Sequence, residues 1–226
     1  MGSVILLDVN ETLLDVGALD PFFARTFGNA SVRREWFGQM LQSAFVSTIT
    51  NSYHDFGAIG MGALGMVANR HGVNLSEEDR AALFGGMRQL PPHPEVRSAL
   101  ERLHSAGYRL ASLTNSTPAM GEAQLTNAGL ADLLEQMLSA DSVKRLKPAP
   151  EPYRMAAEQL GVAIGEVRLV AAHSWDVAGA LSAGCKAAFV ARPGQVLDPI
   201  SPAPDIVGAN LTEVTDRILD GPPAAG

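Results

Sequence analysis

The 226-residue chain is 46% hydrophobic and 18% charged, which supports one α/β domain with an ordinary buried core and a modest insertion. Its formal net charge of −7 argues against a nucleic-acid partner, because phosphate contacts need clustered Lys and Arg and only Arg33-Arg34 and Lys144-Arg145-Lys147 come close. No apolar run approaches the ~20 residues of a membrane span, Val4 to Leu7 lacks the length and basic flank of a secretory signal, and the lone Cys185 excludes an intrachain disulfide; the expected compartment is the cytoplasm.

Val4 to Leu7 is a short apolar run without alternation that ends in Asp8. Such a run suits a central parallel strand covered on both faces, and strands of that kind present working groups at their carboxyl ends. Asp8 therefore stands where a nucleophile would, although a lone aspartate after a strand more commonly caps the next turn. From about residue 16 the pattern is helical for about 75 residues, far more than a strand-to-helix crossover requires. Asp20-Pro21 reads as an N-cap with Pro at the first helical position, Ser31 as the cap of a helix to about Asn51, and Ser76 to Asp79 as a capping box. Four helices fit between about 18 and 90, and Leu90-Pro91-Pro92-His93-Pro94 closes the insertion as a stiff extended link. Most of its aromatic and methionine side chains read as helical core.

From Glu95 helices and strands alternate. A helix runs to Ala106 with Gly107 as its C-cap, and a strand over 109–113 leads into Thr114-Asn115-Ser116-Thr117-Pro118. Hydroxyls at a strand end before a Pro-initiated helix leave backbone N–H groups free for an anion, though Ser116 and Thr117 read more simply as helix caps. A helix over 118–127, an apolar Met137-Leu138, Lys147-Pro148 ahead of a helix carrying Tyr153, and a strand over 167–171 follow. Ala172-His173-Ser174-Trp175-Asp176 then reads as a loop before an Ala/Gly helix. His173 in such a loop is as readily a hydrogen-bonded structural histidine as a functional one, and a lone lysine such as Lys147 is ordinarily a solvated surface charge. Cys185 reads as a small packing residue. Strands at 186–191 and 205–207 and a helix from about Leu211 complete the chain, with 221–226 expected as a disordered tail.

Taken together, the first-motif spacing Asp8-x-x-x-Thr12-Leu13-x-Asp15, Thr114-Asn115 at a strand end, Lys147-Pro148 with Tyr153 six residues after the lysine, and Trp175-Asp176 before Gly179-Ala180 resemble, in order, the motifs of the haloacid dehalogenase superfamily. The resemblance covers essentially the whole chain. It implies an α/β fold: a Rossmann-like parallel sheet core over 1–15 and 92–220 with an inserted helical cap over 16–91. Phosphatases of that superfamily carry an aspartate two residues after the nucleophile as general acid and base, where this chain has Asn10. An amide has no useful proton to exchange near neutral pH, whereas a halide leaves without one. Phosphatases also place aspartates where Ala172 and His173 stand, which leaves Asp8 and Asp176 as too few carboxylates for a usual Mg²⁺ shell. No metal and no cofactor are expected.

These features resemble the L-2-haloacid dehalogenases, which implies displacement of halide from a short 2-haloacid by Asp8 and hydrolysis of the aspartyl ester to a 2-hydroxy acid. In that picture Lys147 and Asp176 hold Asp8 and help position or activate the water, Thr12 and Asn115 fix its carboxylate, Thr114 with nearby backbone N–H groups receives the substrate carboxylate, and Tyr153 supports Lys147. The resemblance also implies a homodimer through cap helices. Two departures stand out. The family's halide-binding arginine on the long cap helix is replaced by Phe37, and its Ser-Ser-Asn by Ala171-Ala172-His173. His173 is then the first candidate for the halide, with Trp175 adding an indole N–H and Arg33 or Arg34 in reserve. The alternatives are a phosphatase-like hydrolase acting on a small organophosphate, or a non-catalytic small-acid binder on the same scaffold.

Overall fold

The computed structural model describes residues 4–221; of the tail expected over 221–226, residues 222–226 lie outside them. Six parallel strands, β1 (Val4–Leu7), β2 (Arg109–Thr114), β3 (Gln136–Ser139), β4 (Val167–Ala171), β5 (Lys186–Val190) and β6 (Ile206–Gly208), form one sheet in the order β3-β2-β1-β4-β5-β6. The chain leaves β1 for β2 and β3 on one side and crosses back for β4 on the other. That reversal opens a crevice at the carboxyl ends of β1 and its neighbours, where α/β proteins gather reacting groups. The strand directly ahead of Asp8 is central and wholly buried, with Leu7 in register between Ser112 and Val170.

Successive side chains of β1 face opposite layers. Ile5 and Leu7 join a cluster with α5 (Val96–Ser105) and α9 (Leu211–Leu219), while Val4 and Leu6 join one with α7 (Pro150–Gln159) and α8 (Ser174–Ala183). A further helix, α6 (Pro118–Asn127), opens with Pro118 behind an N-cap from Thr117, whose hydroxyl accepts the Met120 N–H at 3.4 Å.

Between β1 and β2 lie α1 (Asp20–Phe27), α2 (Val32–Ile49), α3 (Phe56–Arg70) and α4 (Glu77–Arg88). Phe22, Phe23, Trp36, Phe37, Met40 and Phe56 are buried in the cluster these helices share with one face of the sheet, whereas Met66 is exposed. Trp36 donates its indole N–H to the Gly60 carbonyl at 2.9 Å, and Met40 closes over the same glycine. The capping box at Ser76 forms as expected. Two expected caps do not. Ser31 donates to the Asn29 side chain instead of capping α2, and Asp20 is the first residue of α1 and receives the Arg33 guanidinium at 2.5 Å. In each case a nearer polar partner outcompetes the helix amides.

The proline-rich link does not run free. Leu14 and Pro92 form an antiparallel bridge, the Asp15 N–H donates to the Pro91 carbonyl at 2.8 Å, and the His93 N–H to the Leu13 carbonyl at 2.9 Å. Entry to and exit from the four helices are thus one short ribbon.

On the opposite layer, α8 approaches Pro148 and α7 through Gly179. A Cβ there would lie 2.6 Å from Pro148 Cβ and 2.7 Å from the Tyr153 hydroxyl. Overpacking of this kind costs about 1–3 kcal/mol. Gly179→Ala should lower unfolding stability by about that amount in urea titration, and an unchanged midpoint would show that α8 can shift without loss.

Candidate active site

Asp8 follows β1 directly, and its backbone N–H is held by the Val170 carbonyl of the neighbouring strand at 3.1 Å. The carboxylate is almost wholly buried. Thr12 donates to Oδ2 at 2.6 Å, and its oxygen in turn accepts the Ala172 N–H at 2.9 Å. Oδ1 accepts the Lys147 ammonium at 2.8 Å.

Lys147 carries no exposed surface, so its ammonium must find acceptors inside the protein. It has three donors and they reach three: Asp8, the Leu113 carbonyl at 2.9 Å, and Asp176 Oδ2 at 2.6 Å. Asp176 belongs to the first turn of α8 rather than to a loop, where the helix N-terminus favours a carboxylate. Its other oxygen accepts the Tyr153 hydroxyl at 2.5 Å.

Burial by itself would raise the Asp8 carboxyl, but the Lys147 ammonium and His173 outweigh it and hold it well below the usual carboxylate range. For Lys147, burial works against the charge and the two aspartates overcome it, so its pKa is raised. Asp176 moves upward, chiefly through burial and the nearby Asp8 charge, with Lys147 opposing. Of the two carboxylates, Asp8 is the one kept firmly ionised.

On the other side of Asp8 stands His173. Its Nδ1 lies 3.3 Å from Asp8 Oδ2 and its Nε2 2.8 Å from Glu11 Oε2. The ring is stacked between Phe37, at 6.0 Å and 23°, and Trp175, at 5.1 Å and 25°. Burial would push the imidazole down, yet hydrogen bonds to the two carboxylates outweigh it and raise its pKa to about 9. Glu11 also receives Gln195 at 2.9 Å and pairs with Arg33 at 3.6 Å. The result is a line of alternating charge: Arg33, Glu11, His173, Asp8, Lys147, Asp176.

Other expected site residues lie close by with different partners. Asn115 directs its hydrogen bonds to the Lys147 backbone instead of to Asp8: its side-chain oxygen accepts the Lys147 N–H at 2.8 Å and its amide donates to the Lys147 carbonyl at 3.3 Å. Tyr153 reaches Asp176 rather than Lys147. The Thr114 hydroxyl accepts the Ser116 N–H at 3.1 Å. Asn10 is fixed by Gln124, at 3.0 Å, and Ser116, at 3.4 Å. Phe37 provides a ring face to His173. Trp175 keeps its indole N–H buried without a partner among the described residues, and Arg34 is exposed.

Two cavities adjoin these groups. One, of about 80 Å³, lies between Trp36, Met40, Phe56 and Met87 and the Ser116-Thr117 turn; the other, a cleft of about 420 Å³, is bounded by Glu11, Phe37, His173, Trp175 and Gln195. Glu11, Gln124 and Gln195 are polar groups of this region that sequence reasoning passed over. For Glu11 alone there was a signal, a charge inside the first-motif stretch.

The family model of haloacid dehalogenase-like hydrolases matches residues 3–184. The chain is 28% identical over 216 residues to (S)-2-haloacid dehalogenase 2 of Pseudomonas sp. (strain CBS-3), covering 95% of this chain and 94% of that one. It is 30% identical to (S)-2-haloacid dehalogenase 4A of Burkholderia cepacia, covering 84% and 83%. L-2-haloacid dehalogenase from Xanthobacter autotrophicus, solved with chloropropionic acid covalently bound, superposes with a TM-score of 0.90 at 25% identity, covering 97% and 99%.

The raised His173 pKa is directly measurable. The folded state favours the imidazolium, so the stability this group lends is complete below its unfolded value near 6.5 and is lost as pH rises through about 9. NMR titration of His173 should show a midpoint near 9, and Glu11→Gln should move it down. A midpoint near 6.5 in both proteins would mean the carboxylates do not hold the proton.

Proposed function

Because the chain belongs to the haloacid dehalogenase-like hydrolases, we propose that it is a hydrolytic 2-haloacid dehalogenase acting on short 2-haloacids through an ester on Asp8. The observation that carries this reading is the Asp8 carboxylate, ionised and aimed by Thr12 and Lys147 at the carboxyl end of the central strand. A carboxylate of low basicity cannot deprotonate a substrate well, but as a pre-ionised, oriented nucleophile it can displace a good leaving group. Its oxygen attacks C2, the carbon–halogen bond breaks, and the halide departs without a proton. Water then attacks the ester carbonyl and releases the 2-hydroxy acid. The covalently bound chloropropionic acid of the Xanthobacter autotrophicus enzyme supports the same intermediate here.

Lys147, positioned by Asn115, holds Asp8 on one side, and Asp176, positioned by Tyr153, holds Lys147. Beside Thr114, the backbone N–H groups at the start of α6 receive the substrate carboxylate, with Asn10 bordering them. The halide goes to the uncommitted indole N–H of Trp175, since both nitrogens of His173 already face carboxylates. The reaction needs no metal in this reading. Asn10, Ala172 and His173 replace the oxygen ligands of the phosphatases, and an ammonium already bridges the two remaining carboxylates.

The reading takes 16–91 as the cap and 1–15 with 92–220 as the core. Exposed Val46, Ile49, Met66 and Phe84 on α2, α3 and α4 support a homodimer through those helices. A single unpaired thiol, Cys185, supports a cytoplasmic setting. Among the described residues no helix is long and apolar enough to cross a membrane.

Chloride release from 2-chloropropionate, measured beside phosphate release from p-nitrophenyl phosphate, tests the reaction class. Chloride release should persist in EDTA and disappear in Asp8→Asn, a loss on the order of 10⁴-fold or more. Single turnover in H₂¹⁸O should label Asp8 as well as product. Phosphate release that vanishes with chelator and returns with Mg²⁺ would replace this reading with a phosphatase.

Trp175→Phe keeps the ring and removes the donor. It should slow chloride release from 2-chloropropionate about 10-fold or more, as loss of one hydrogen bond to an anion does. Unchanged kcat and KM would remove the indole from the halide site.

A further inference from the structure

The resemblance gave the ester-hydrolysing water to Lys147 and Asp176, but the polar atoms of both are already engaged, so the proton of that water needs another acceptor. The Lys147 ammonium has donated all three hydrogens and offers no lone pair. Asp176 is wholly buried on the far side of that ammonium, with one oxygen on Lys147 and the other on Tyr153. Thr12 already donates to Asp8 and accepts from Ala172. His173 is the remaining ionisable group in contact with Asp8, with Nδ1 3.3 Å from Oδ2.

We propose that His173, oriented by Glu11, is the base that activates the ester-hydrolysing water, and that it becomes a base only when Asp8 has been esterified. This rests on the dehalogenase reading above. In the resting enzyme the imidazole lies between two carboxylates and carries two protons, and in that state it has no lone pair to offer. Forming the ester uses one Asp8 oxygen for the bond to C2 and removes the negative charge from Asp8. His173 then faces one carboxylate, Glu11, and a Lys147 ammonium no longer balanced by Asp8. Glu11 from the loop after β1 is then the carboxylate that still holds the imidazolium proton, and it is itself shared with Arg33 of α2 and Gln195, while Phe37 of α2 and Trp175 of α8 contribute only ring faces, so the proton is released more readily than in the resting enzyme.

The hydrogen bond at Glu11 decides which proton leaves. Nε2–H stays bonded to the carboxylate, so the lone pair is bared at Nδ1, toward the ester. Glu11 is placed for this by an unusual backbone. Its φ is +62, in the left-handed region, and its N–H donates to the Leu14 carbonyl at 2.9 Å. A glutamate held in that region by its surroundings is a sign of a functional constraint.

The protons balance. On esterification His173 releases one proton to the cleft it borders, while halide leaves as the anion. Neutral Nδ1 then takes a proton from water as the water oxygen bonds to the Asp8 carbonyl carbon. The imidazolium returns that proton to the departing alkoxide, giving the 2-hydroxy acid and a protonated Asp8 carboxyl, which passes its proton to Nδ1 and restores the resting pair. The sum is one halide, one hydroxy acid and one proton from one water and one haloacid.

The two half-reactions are separated by rapid quench with 2-chloropropionate. His173→Gln should give a chloride burst of about one per site, followed by turnover about 10²-fold or more below wild type, with the ester seen on Asp8 by intact-mass spectrometry. Glu11 is a positioning residue, and Glu11→Gln should shift the pH midpoint of ester decay further down than in wild type. Wild-type protein supplies a test that needs no variant: ester decay should rise with pH through a midpoint at least about one unit below the free-enzyme His173 midpoint near 9. Ester decay independent of pH in wild type, or at the wild-type rate in folded His173→Gln, overturns the assignment while leaving the dehalogenase intact. Wild-type protein that releases no chloride from any 2-haloacid overturns the reading on which the assignment rests.

Discussion

The buried ammonium of Lys147 is the constraint from which the site's arrangement follows. A charge with no access to water is tolerable only when all its donors are satisfied, and removing one partner of such an arrangement typically costs about 3–5 kcal/mol. The three acceptors come from three places: Asp8 after β1, the Leu113 carbonyl in β2, and Asp176 in α8. Asn115, the residue after β2, clasps the lysine's own backbone. The sheet order therefore does more than bring these segments near one another. It gives the lysine a complete set of partners at one depth in the crevice, and the nucleophile is ionised as a by-product of meeting that demand.

The same logic extends outward through His173 and Glu11 to Arg33. Where the resemblance implied a cationic arginine on the long helix, α2 instead offers the Phe37 ring, and the positive charge is on the core's histidine beneath it. Charge has moved from one side of the crevice to the other. Arg33, one turn earlier on α2, pairs with the outermost carboxylate. Asp8, Lys147, Asp176 and His173 shift one another's protonation, which is why the imidazole and the nucleophile are best understood as one titrating group.

Much of this was legible from residues alone, and the reasons differ by element. Asp8 after a four-residue apolar run, Pro118 behind a threonine cap, and the capping box at Ser76 are local signals, and local signals survive folding. Ser31 and Asp20 failed as caps because a neighbouring side chain was a better partner, which spacing does not encode. Asn115 and Tyr153 were placed in the right region with the wrong partner. Their reach spans several acceptors, and the choice among these depends on backbone positions about 30 residues away in sequence that only the sheet sets. Glu11 was hidden for a different reason. Its role depends on a left-handed backbone, and nothing about a glutamate advertises that conformation.

The ribbon that joins Leu14 to Pro92 bears on how the molecule assembles. The two central strands β1 and β2 are separated by about a hundred residues, and closing a loop of that length in a disordered chain is slow and entropically unfavourable. Yet the intervening helices pack largely on one another, and their two ends are joined by direct hydrogen bonds from Asp15 to Pro91 and from His93 to Leu13. Once that helical segment has condensed, β1 and β2 emerge side by side and the loop is already closed. The segment that interrupts the sheet in sequence thus carries, in its own packing, the closure that the pairing of β1 with β2 requires.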